Sequence, residues 1–394
     1  MPASWGGCGT SFSHNEKHFE YGGCMDAKSF ISSMLAEADI RIGGDRPWDI
    51  QVHNENLYSR VMRQGTLGAG EAYMEGWWDC AALDVMFCKA IRARLEDRLK
   101  NNLPSYLLAL CQTLFNLQSV SRASMVAEQH YNFSNDMFAC MLGPTMNYSC
   151  GYWKDASSLD EAETSKMELI CRKLQLREGM TVLDIGCGWG GLARYMADKY
   201  KAKVTGISVS TEQIAYAREH DTEHKVEWLL EDYRSLTGRF NRIVSVGMFE
   251  HVGRKNYRTY VETTRRLLDD DGLFLLHTIG SSVQKAGADP WISKYIFPNG
   301  VLPSPTSITK AIMGQYILED WHNFGADYDK TLMAWHRRFE QGFADGTFHC
   351  TERIRRMYDY YLLSCAAAFR ARDIQLWQIV LSPRGVEGGY VSCR

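Results

Sequence analysis

Residues 181–196 read TVLDIGCGWGGLARYM, which places four glycines between an apolar run and the start of a predicted helix. Gly186, Gly188 and Gly191 have the spacing G-x-G-x-x-G, typical of loops whose backbone approaches a ligand closely. A nicotinamide site would also need an acidic residue about 20 positions further on, to bind the ribose hydroxyls. The next apolar run ends in VTGISVS, and no carboxylate follows before Glu212. The pattern therefore argues against a dinucleotide.

Asp184, near the end of the first predicted strand, indicates a different class of ligand. A carboxylate repels a phosphate, but it stabilises an ammonium or a sulfonium. The segment DIGCGWGG therefore favours S-adenosylmethionine, whose methionine end carries a positively charged amine and a positively charged sulfur. The alternative is a structural role, in which the glycines only allow a helix to pack closely on the sheet.

After about residue 165, apolar runs alternate with helical stretches, as a mostly parallel sheet with crossover helices requires. The first five runs occupy residues 181–185, 203–207, 226–230, 242–246 and 272–277. Two later strand candidates, QYILEDWHNF and DIQLWQIVLS, enclose a helical region. The pattern predicts an α/β domain with a Rossmann-like sheet, whose ligand binds at the carboxyl ends of the strands.

The sequence before this sheet differs in composition. We predict a loosely ordered tail over residues 1–28, a smaller α-helical domain over 29–129 and a catalytic domain over 130–394. In LPSYLLALCQTLFNL the leucines recur at the spacing of a helix with one buried face. A helical core is the simpler interpretation of that face, and a lipid-binding surface is the alternative.

Composition narrows the classes of function. The net charge of −3 gives no general attraction to nucleic acid, so we expect no such partner. The 12 cysteines include no C-x-x-C pair, which favours free thiols in a reducing compartment and no metal site. The N-terminus lacks the features of a signal peptide, and no apolar run approaches the ~20 residues of a membrane span. We expect a cytoplasmic protein whose membrane contact is peripheral.

Polar side chains follow the later strands. EDYRS follows the third strand, where Asp232 can accept a hydrogen bond from an adenine and Tyr233 can offer an aromatic face. Glu250 and His277 follow the fourth and fifth strands, so we expect them in the same crevice as the glycine loop. Each has a simpler explanation, as a residue at a helix start or as a satisfied core histidine. Two ionisable groups beside a ligand loop nevertheless favour a functional site.

Over roughly residues 40–382 the chain resembles the cyclopropane-fatty-acyl-phospholipid synthases and the related mycolic acid cyclopropane synthases. The segments that carry the resemblance include GAGEAYMEGWWDC, MNYSCGYW, VLDIGCGWGGLA, IVSVGMFEHVG, FLLHTIGS, DPWISKYIFPNG, DWHNFGADYDKTLMAW and AFRARDIQLWQIV. The resemblance implies a class I S-adenosylmethionine-dependent methyltransferase that adds a methylene group across the cis double bond of an acyl chain in membrane phospholipid. It also implies a homodimer that contacts the inner face of the membrane.

The resemblance also implies site residues. Those that match the family's methyl-donor site are Tyr148, Ser149, Gly186, Gly188, Trp189, Ser208 and Gln213. Those that match a bound bicarbonate ion are Cys150, Glu250, His277, Tyr328 and, through its backbone, Ile279. Without the resemblance, Cys150 would be interpreted as a small buried hydrophobe and Tyr328 as an aromatic anchor.

An anion beside an alkene has a chemical purpose. Methyl transfer to an unactivated double bond leaves a carbocation, which an anion stabilises, and ring closure needs a base to remove a proton from the added methyl. We expect Glu250 to accept a hydrogen bond from bicarbonate, and His277 and Tyr328 to donate to it. Cys150 is expected to be a weak donor, because this chemistry needs no covalent enzyme intermediate.

Five cationic residues of the helical part are candidates for contact with anionic lipid: Lys89, Arg92, Arg94, Arg98 and Lys100. A solvated basic face is the simpler interpretation of this group.

Other functions stay open. One is a lipid C-methyltransferase that leaves a methyl branch or a methylene in place of a ring, and another is a lipid-binding scaffold without catalysis. A small-molecule or nucleic-acid methyltransferase would share only the glycine loop.

Overall fold

The computed structural model describes residues 26–96, 135–285 and 287–394. Its helices are α1 (Ala27–Glu37), α2 (Asn56–Met74), α3 (Leu83–Arg92), α4 (Asn135–Leu142), α5 (Leu159–Lys173), α6 (Gly191–Tyr200), α7 (Thr211–Glu219), α8 (Tyr257–Leu267), α9 (Pro290–Tyr295), α10 (Pro305–Ile312), α11 (Ala326–Asp345) and α12 (Glu352–Arg370). Its strands are β1 (Gln51–Val52), β2 (Trp78–Asp79), β3 (Thr181–Ile185), β4 (Lys203–Ser208), β5 (Val226–Leu230), β6 (Phe240–Val246), β7 (Leu268–Gly280), β8 (Ile317–Asn323) and β9 (Gln375–Ser382).

Strands β3 to β9 form one sheet in the order β5-β4-β3-β6-β7-β9-β8. Neighbours are parallel from β5 to β7, whereas β9 runs antiparallel to both β7 and β8. The chain winds outward from β3 in one direction through β4 and β5, and then in the other direction from β6. The glycine loop follows β3 and therefore lies at the switch point, where open α/β sheets bind their ligands.

The seven strands predicted from apolar runs are all present. The largest difference is β7, which begins at Leu268 rather than at residue 272. Leu268 pairs with Phe240 across an irregularity in the register between Phe240 and Arg242, and a periodic pattern does not reveal such a bulge. The pair β1 and β2 was not predicted, because each strand has only two residues.

The glycine loop has a backbone that most residues avoid. Gly186, Gly188 and Gly190 have φ of 82°, 55° and 87°, a region in which a Cβ atom is strained. A Cβ atom on Gly186 would also lie 2.9 Å from Cβ of Met248. The loop is fixed beside β4, because the N–H groups of Gly186 and Cys187 both donate to the carbonyl oxygen of Ile207.

Helices α1 to α3 share one hydrophobic core with α4, α11 and α12. Polar contacts join the same elements: Arg356 on α12 donates to the carbonyl oxygen of Trp78 at 2.9 Å and to Asp79 Oδ1 at 2.7 Å. Arg370 pairs with Asp84 at 2.6 Å. The helical region is therefore packed against the catalytic part, and the two can enclose a cavity between them.

Several predictions fall on parts of the chain that lie outside the described residues. These are most of the predicted tail, the helix in LPSYLLALCQTLFNL, and Arg98 and Lys100 of the basic group. The domain boundaries stay a prediction. Within the described ranges, no helix is both long enough and apolar enough to cross a membrane.

Candidate active site

A cavity of about 1620 Å³ is lined by the glycine loop, by the residues that follow the strands and by helices α1 to α3. It brings together most of the site residues predicted from sequence: Tyr148, Ser149, Asp184, Gly186, Gly188, Trp189, Ser208, Gln213, Asp232, Tyr233, Glu250, His277, Ile279 and Tyr328. Cys150 is not among the described residues that line the cavity. It is fully buried, and its Sγ lies 3.1 Å from the carbonyl oxygen of Gly151.

Asp184 provides a buried carboxyl group beside the glycine loop. It lies on β3, is 2% exposed, and its Oδ2 has no hydrogen-bond partner among the described residues. Burial raises the pKa of this carboxyl to about 7, against the opposing effect of the positive charge on Lys166. A cationic ligand would favour the ionised carboxylate again, so the position suits an ammonium or a sulfonium.

The end of β4 offers a hydroxyl and an amide in place of a carboxylate. The hydroxyl of Ser208 donates to Gln213 Oε1 at 2.9 Å, and Oγ of Ser208 accepts a hydrogen bond of 3.1 Å from the N–H of Ser210. Ser208 and Gln213 are both buried. Both side chains can therefore meet ligand hydroxyls without a change in the backbone.

Asp232 and Tyr233 follow β5, as predicted, but each already has a protein partner. Arg234 donates to both carboxylate oxygens of Asp232, at 2.8 and 2.6 Å. Burial opposes ionisation of Asp232, but the hydrogen bonds from Arg234 outweigh it and lower the pKa. The ring of Tyr233 packs edge-on against Tyr260 with centroids 5.1 Å apart. Asp232 is therefore a carboxylate that Arg234 holds in place at the cavity wall.

Glu250 lies in the turn Phe249–His251 that follows β6. Its Oε1 accepts a hydrogen bond of 2.7 Å from the backbone N–H of Ile279. Its Oε2 is buried and has no hydrogen-bond partner within the described ranges. Burial raises the pKa of the carboxyl to about 7, while the Ile279 N–H opposes this shift. One oxygen is thus held by the sheet edge, and the other is available to a ligand.

His277 lies on β7, directly opposite Val246 of β6. Its Nδ1 is 3.3 Å from Nε2 of Gln378. In this orientation of the Gln378 amide its nitrogen donates to Nδ1, which places the ring proton on Nε2. That Nε2 is buried without a partner in the described structure. Burial, and then the positive charge of Lys166, keep the pKa of His277 well below its ordinary value. His277 is therefore a neutral N–H donor facing the site.

Tyr328 and Cys150 are both in their neutral forms. The ring of Tyr328, in the first turn of α11, stacks on Phe369 with centroids 4.5 Å apart. Burial raises the pKa of its hydroxyl well above the ordinary value, so the hydroxyl keeps its proton. Burial likewise raises the pKa of the Cys150 thiol. The raised pKa disfavours a thiolate nucleophile at Cys150.

Another part of the cavity is an apolar chamber supplied by the helical region. Its side chains come from α1 to α3 and the residues just after α3: Ile31, Met34, Leu35, Leu57, Val61, Met86, Phe87, Ala90, Ile91 and Leu95. Two exposed cations, Arg92 and Arg94, also line it. The cavity thus has a polar end at the sheet and an apolar end among the helices.

The family model described as mycolic acid cyclopropane synthetase matches residues 118–379. The chain belongs to this family. It is 53% identical over 358 residues to the cyclopropane-fatty-acyl-phospholipid synthase of Escherichia coli (strain K12), with 91% of this chain and 94% of that protein covered. It is 34% identical to cyclopropane mycolic acid synthase 3 of Mycobacterium tuberculosis, with 62% and 91% covered.

Solved structures of this synthase family have the same fold. The chain matches mycolic acid cyclopropane synthase CmaA1, complexed with SAH and CTAB, with a TM-score of 0.60, 30% identity, and 66% of this chain and 97% of that chain covered. The predictions of the family and of a class I methyltransferase fold are confirmed. This chain is an S-adenosylmethionine-dependent methyltransferase of the cyclopropane synthase family.

Three residues around this synthase cavity were missed by sequence reasoning. Lys166 lines the donor end, Cys365 lines the cavity from α12, and Gln378 fixes the tautomer of His277. Burial raises the pKa of the Cys365 thiol to about 12. For Lys166 a signal existed, since it lies on the face of α5 that also carries Leu159 and Ile170. A charge on the apolar face of a helix is rare unless it is paired or functional.

Proposed function

We propose that this chain transfers a methylene group from S-adenosylmethionine to the cis double bond of an unsaturated acyl chain in membrane phospholipid, forming a cyclopropane ring. The observation that carries the proposal is a single cavity that joins the glycine loop, the buried Glu250 and His277, and the apolar chamber of α1 to α3. An apolar chamber suits an alkyl chain, and the few polar groups at its other end suit the reacting atoms. The family membership supports the same activity.

The donor end fits S-adenosylmethionine. The glycine loop lets a ligand approach the backbone. Oδ2 of Asp184, which has no hydrogen-bond partner among the described residues, suits the positive charge of the donor. Ser208 and Gln213 would hold the ribose hydroxyls, while Asp232 and Tyr233 would meet the adenine. Further contacts would come from Tyr148, Ser149 and Trp189, as the resemblance implies. When bound, the donor would supply an electrophilic methyl group for the alkene, with S-adenosylhomocysteine as the leaving group.

The second part of the site fits bicarbonate. Two buried atoms without partners in the described chain, Oε2 of Glu250 and Nε2 of His277, have opposite hydrogen-bonding roles. His277 and the hydroxyl of Tyr328 would donate to the anion, and Glu250 would accept its O–H. Bicarbonate held there would supply the base for the proton lost from the added methyl. Ile279 acts through its backbone N–H, which holds Oε1 of Glu250.

The protein contributes mainly by orientation and by exclusion of water. Apart from Arg92 and Arg94, the side chains of the chamber are apolar, so they do not solvate positive charge that develops on the acyl chain. An anion held by His277 and Tyr328 would stabilise that charge more strongly in this setting than in water. The same orientation fixes the direction in which the proton leaves.

The activity can be tested with vesicles of unsaturated phospholipid, S-adenosylmethionine and degassed buffer with or without bicarbonate. Acyl chains should gain one CH₂ and become resistant to ozonolysis at the former double bond, and the rate should depend on bicarbonate. An added carbon with a surviving alkene would instead indicate a lipid methyltransferase of another kind. Donor binding without transfer to lipid would support the scaffold alternative.

We also propose that Arg92 and Arg94 dock the helical region on anionic lipid. Both are exposed, line the apolar chamber, and have no carboxylate partner within the described residues, whereas Lys89 pairs with Asp39 at 2.8 Å. Each charge reversal, Arg92→Glu or Arg94→Glu, should weaken sedimentation with anionic vesicles by about tenfold. Arg63→Glu, an exposed position on α2 that does not line the chamber, is the control. Unchanged sedimentation of the first two variants would refute this contact.

A homodimer at the inner face of the membrane stays a prediction from the family resemblance. Sedimentation velocity of the purified chain tests the oligomeric state directly. A single species with the mass of one chain would refute the dimer.

A further inference from the structure

Lys166 is a buried cation at the donor end of the cavity. Its side chain is 0% exposed, although it lines the cavity beside Ser149 and Asp184. The other lysines and arginines among the described cavity residues are all at least partly exposed. Burial of an ammonium is unfavourable unless compensating groups surround it. The position of Lys166 therefore calls for a partner.

The protein supplies only part of that compensation. Nζ of Lys166 donates to Oγ of Ser149 at 2.9 Å. This is its one side-chain hydrogen bond in the described parts of the chain, and no close ion pair joins it to a carboxylate there. Glu163 and Asp184 act on it only as nearby charges. An ammonium has three N–H donors, so donors remain for a ligand.

Asp184 has the opposite requirement on the same cavity wall. Its Oδ2 is buried and without a hydrogen-bond partner among the described residues. Asp184 and Lys166 thus line one cavity as a buried carboxylate and a buried ammonium that do not pair closely with each other. Such a pair matches a ligand that carries both charges. The amino acid end of the donor has an ammonium and a carboxylate on one carbon, and is such a ligand.

We propose that Lys166, together with the hydroxyl of Ser149, binds the carboxylate of the donor's amino acid end, while Asp184 binds its ammonium. This extends the proposed function, on which it relies for the identity of the donor. It makes Lys166 the residue that selects donors with an intact carboxylate. Charge-assisted hydrogen bonds of this kind are about twice as strong as neutral ones.

Calorimetric titration tests the inference without any catalytic turnover. The two probes are S-adenosylhomocysteine and its decarboxylated analogue, which differ only in the carboxylate. The unsubstituted protein should bind the analogue at least about tenfold more weakly, which is about 1.4 kcal/mol. In Lys166→Met the two probes should bind with nearly equal affinity, because the residue that discriminates them is gone.

A matched control is available on the same helix. Lys173 is also fully buried on α5, but it contacts Nδ1 of His322 at 3.0 Å and does not line the cavity. Lys173→Met should therefore keep the preference for the carboxylate. A thermal melt of each variant shows whether it folds, and Ser149→Ala, which should reduce the preference, serves if Lys166→Met does not fold.

The outcomes separate this inference from the proposed function. Equal binding of the two probes to the unsubstituted protein, or full preference in Lys166→Met, overturns the role of Lys166 and leaves the methyl donor assignment in place. Failure of S-adenosylhomocysteine to bind at all overturns both.

Discussion

The two ends of the cavity are built on different principles. At the sheet, a few buried polar groups such as Asp184, Glu250 and His277 keep atoms without protein partners in the described structure. In the chamber, side chains such as Leu57 and Met86 offer apolar surface and no directional contact. The comparison shows that catalysis at the polar end depends on individual hydrogen-bonding atoms, whereas binding of an acyl chain in the chamber depends on the area and shape of the apolar surface. Substitutions at the two ends should therefore have different consequences.

The largest effect is expected at the polar end. Glu250→Gln keeps the shape but weakens the acceptor for the anion, so methylene transfer should fall by about 10²–10⁴-fold. The affinity for S-adenosylhomocysteine, measured by calorimetry, should hardly change. Glu168→Gln is the control, because Glu168 accepts hydrogen bonds from Tyr195 and Tyr200 away from the cavity. Activity of Glu250→Gln close to that of the control would contradict the anion site.

The same substitution should change how stability depends on pH. The folded chain raises the pKa of Glu250 from 4.5 to about 7, so this group favours folding at low pH. That contribution is lost as pH rises from about 4.5 to about 7, since the unfolded chain ionises first. Glu250→Gln does not titrate and should gain up to about 3 kcal/mol relative to the unsubstituted chain across this window.

Urea unfolding of both chains at several pH values measures this difference. Other buried carboxyls, such as Asp184, are present in both chains and cancel in the comparison. A difference in the free energy of unfolding that stays constant with pH would show that Glu250 is not held in its protonated form.

A smaller and graded effect is expected in the chamber. Ala90→Phe fills space that α3 offers to an acyl chain, so it should favour shorter chains over longer ones by about tenfold while donor binding is unchanged. Cys88→Phe is the matched control, because Cys88 lies on the same helix but does not line the cavity. Product analysis of mixed-chain vesicles measures the ratio. An equal loss for all chain lengths would indicate that the chamber does not hold the chain.

The polar end was largely predictable from the sequence, whereas the chamber was not. Strands of a parallel sheet are covered on both faces, so β3 and β4 are almost wholly buried and appear in the sequence as mainly apolar runs. Residues that follow such strands must meet at one edge, which located Glu250 and His277. The chamber residues, such as Leu57, have the same periodicity as any helical core, so sequence does not distinguish a cavity wall from packing.

Lys166 shows a further limit of the sequence. Its role depends on Ser149 and Asp184, which come from other parts of the chain, and only the fold brings the three together. Cys150 shows the converse. Its neighbours Tyr148 and Ser149 line the cavity, but the thiol contacts Gly151 and Thr331 instead. The direction in which a side chain points in an irregular segment depends on how the segment packs, and a sequence motif does not reveal that packing.

The most direct test of the central claim uses a donor whose transferred methyl carries three deuterium atoms, incubated with vesicles of unsaturated phospholipid and bicarbonate. Mass spectrometry of the acyl chains counts the deuterium that is kept. Ring formation in which the base removes one deuteron from the added methyl predicts a saturated ring that retains two deuterium atoms. A product that retains all three, or an acyl chain without any, would contradict the account.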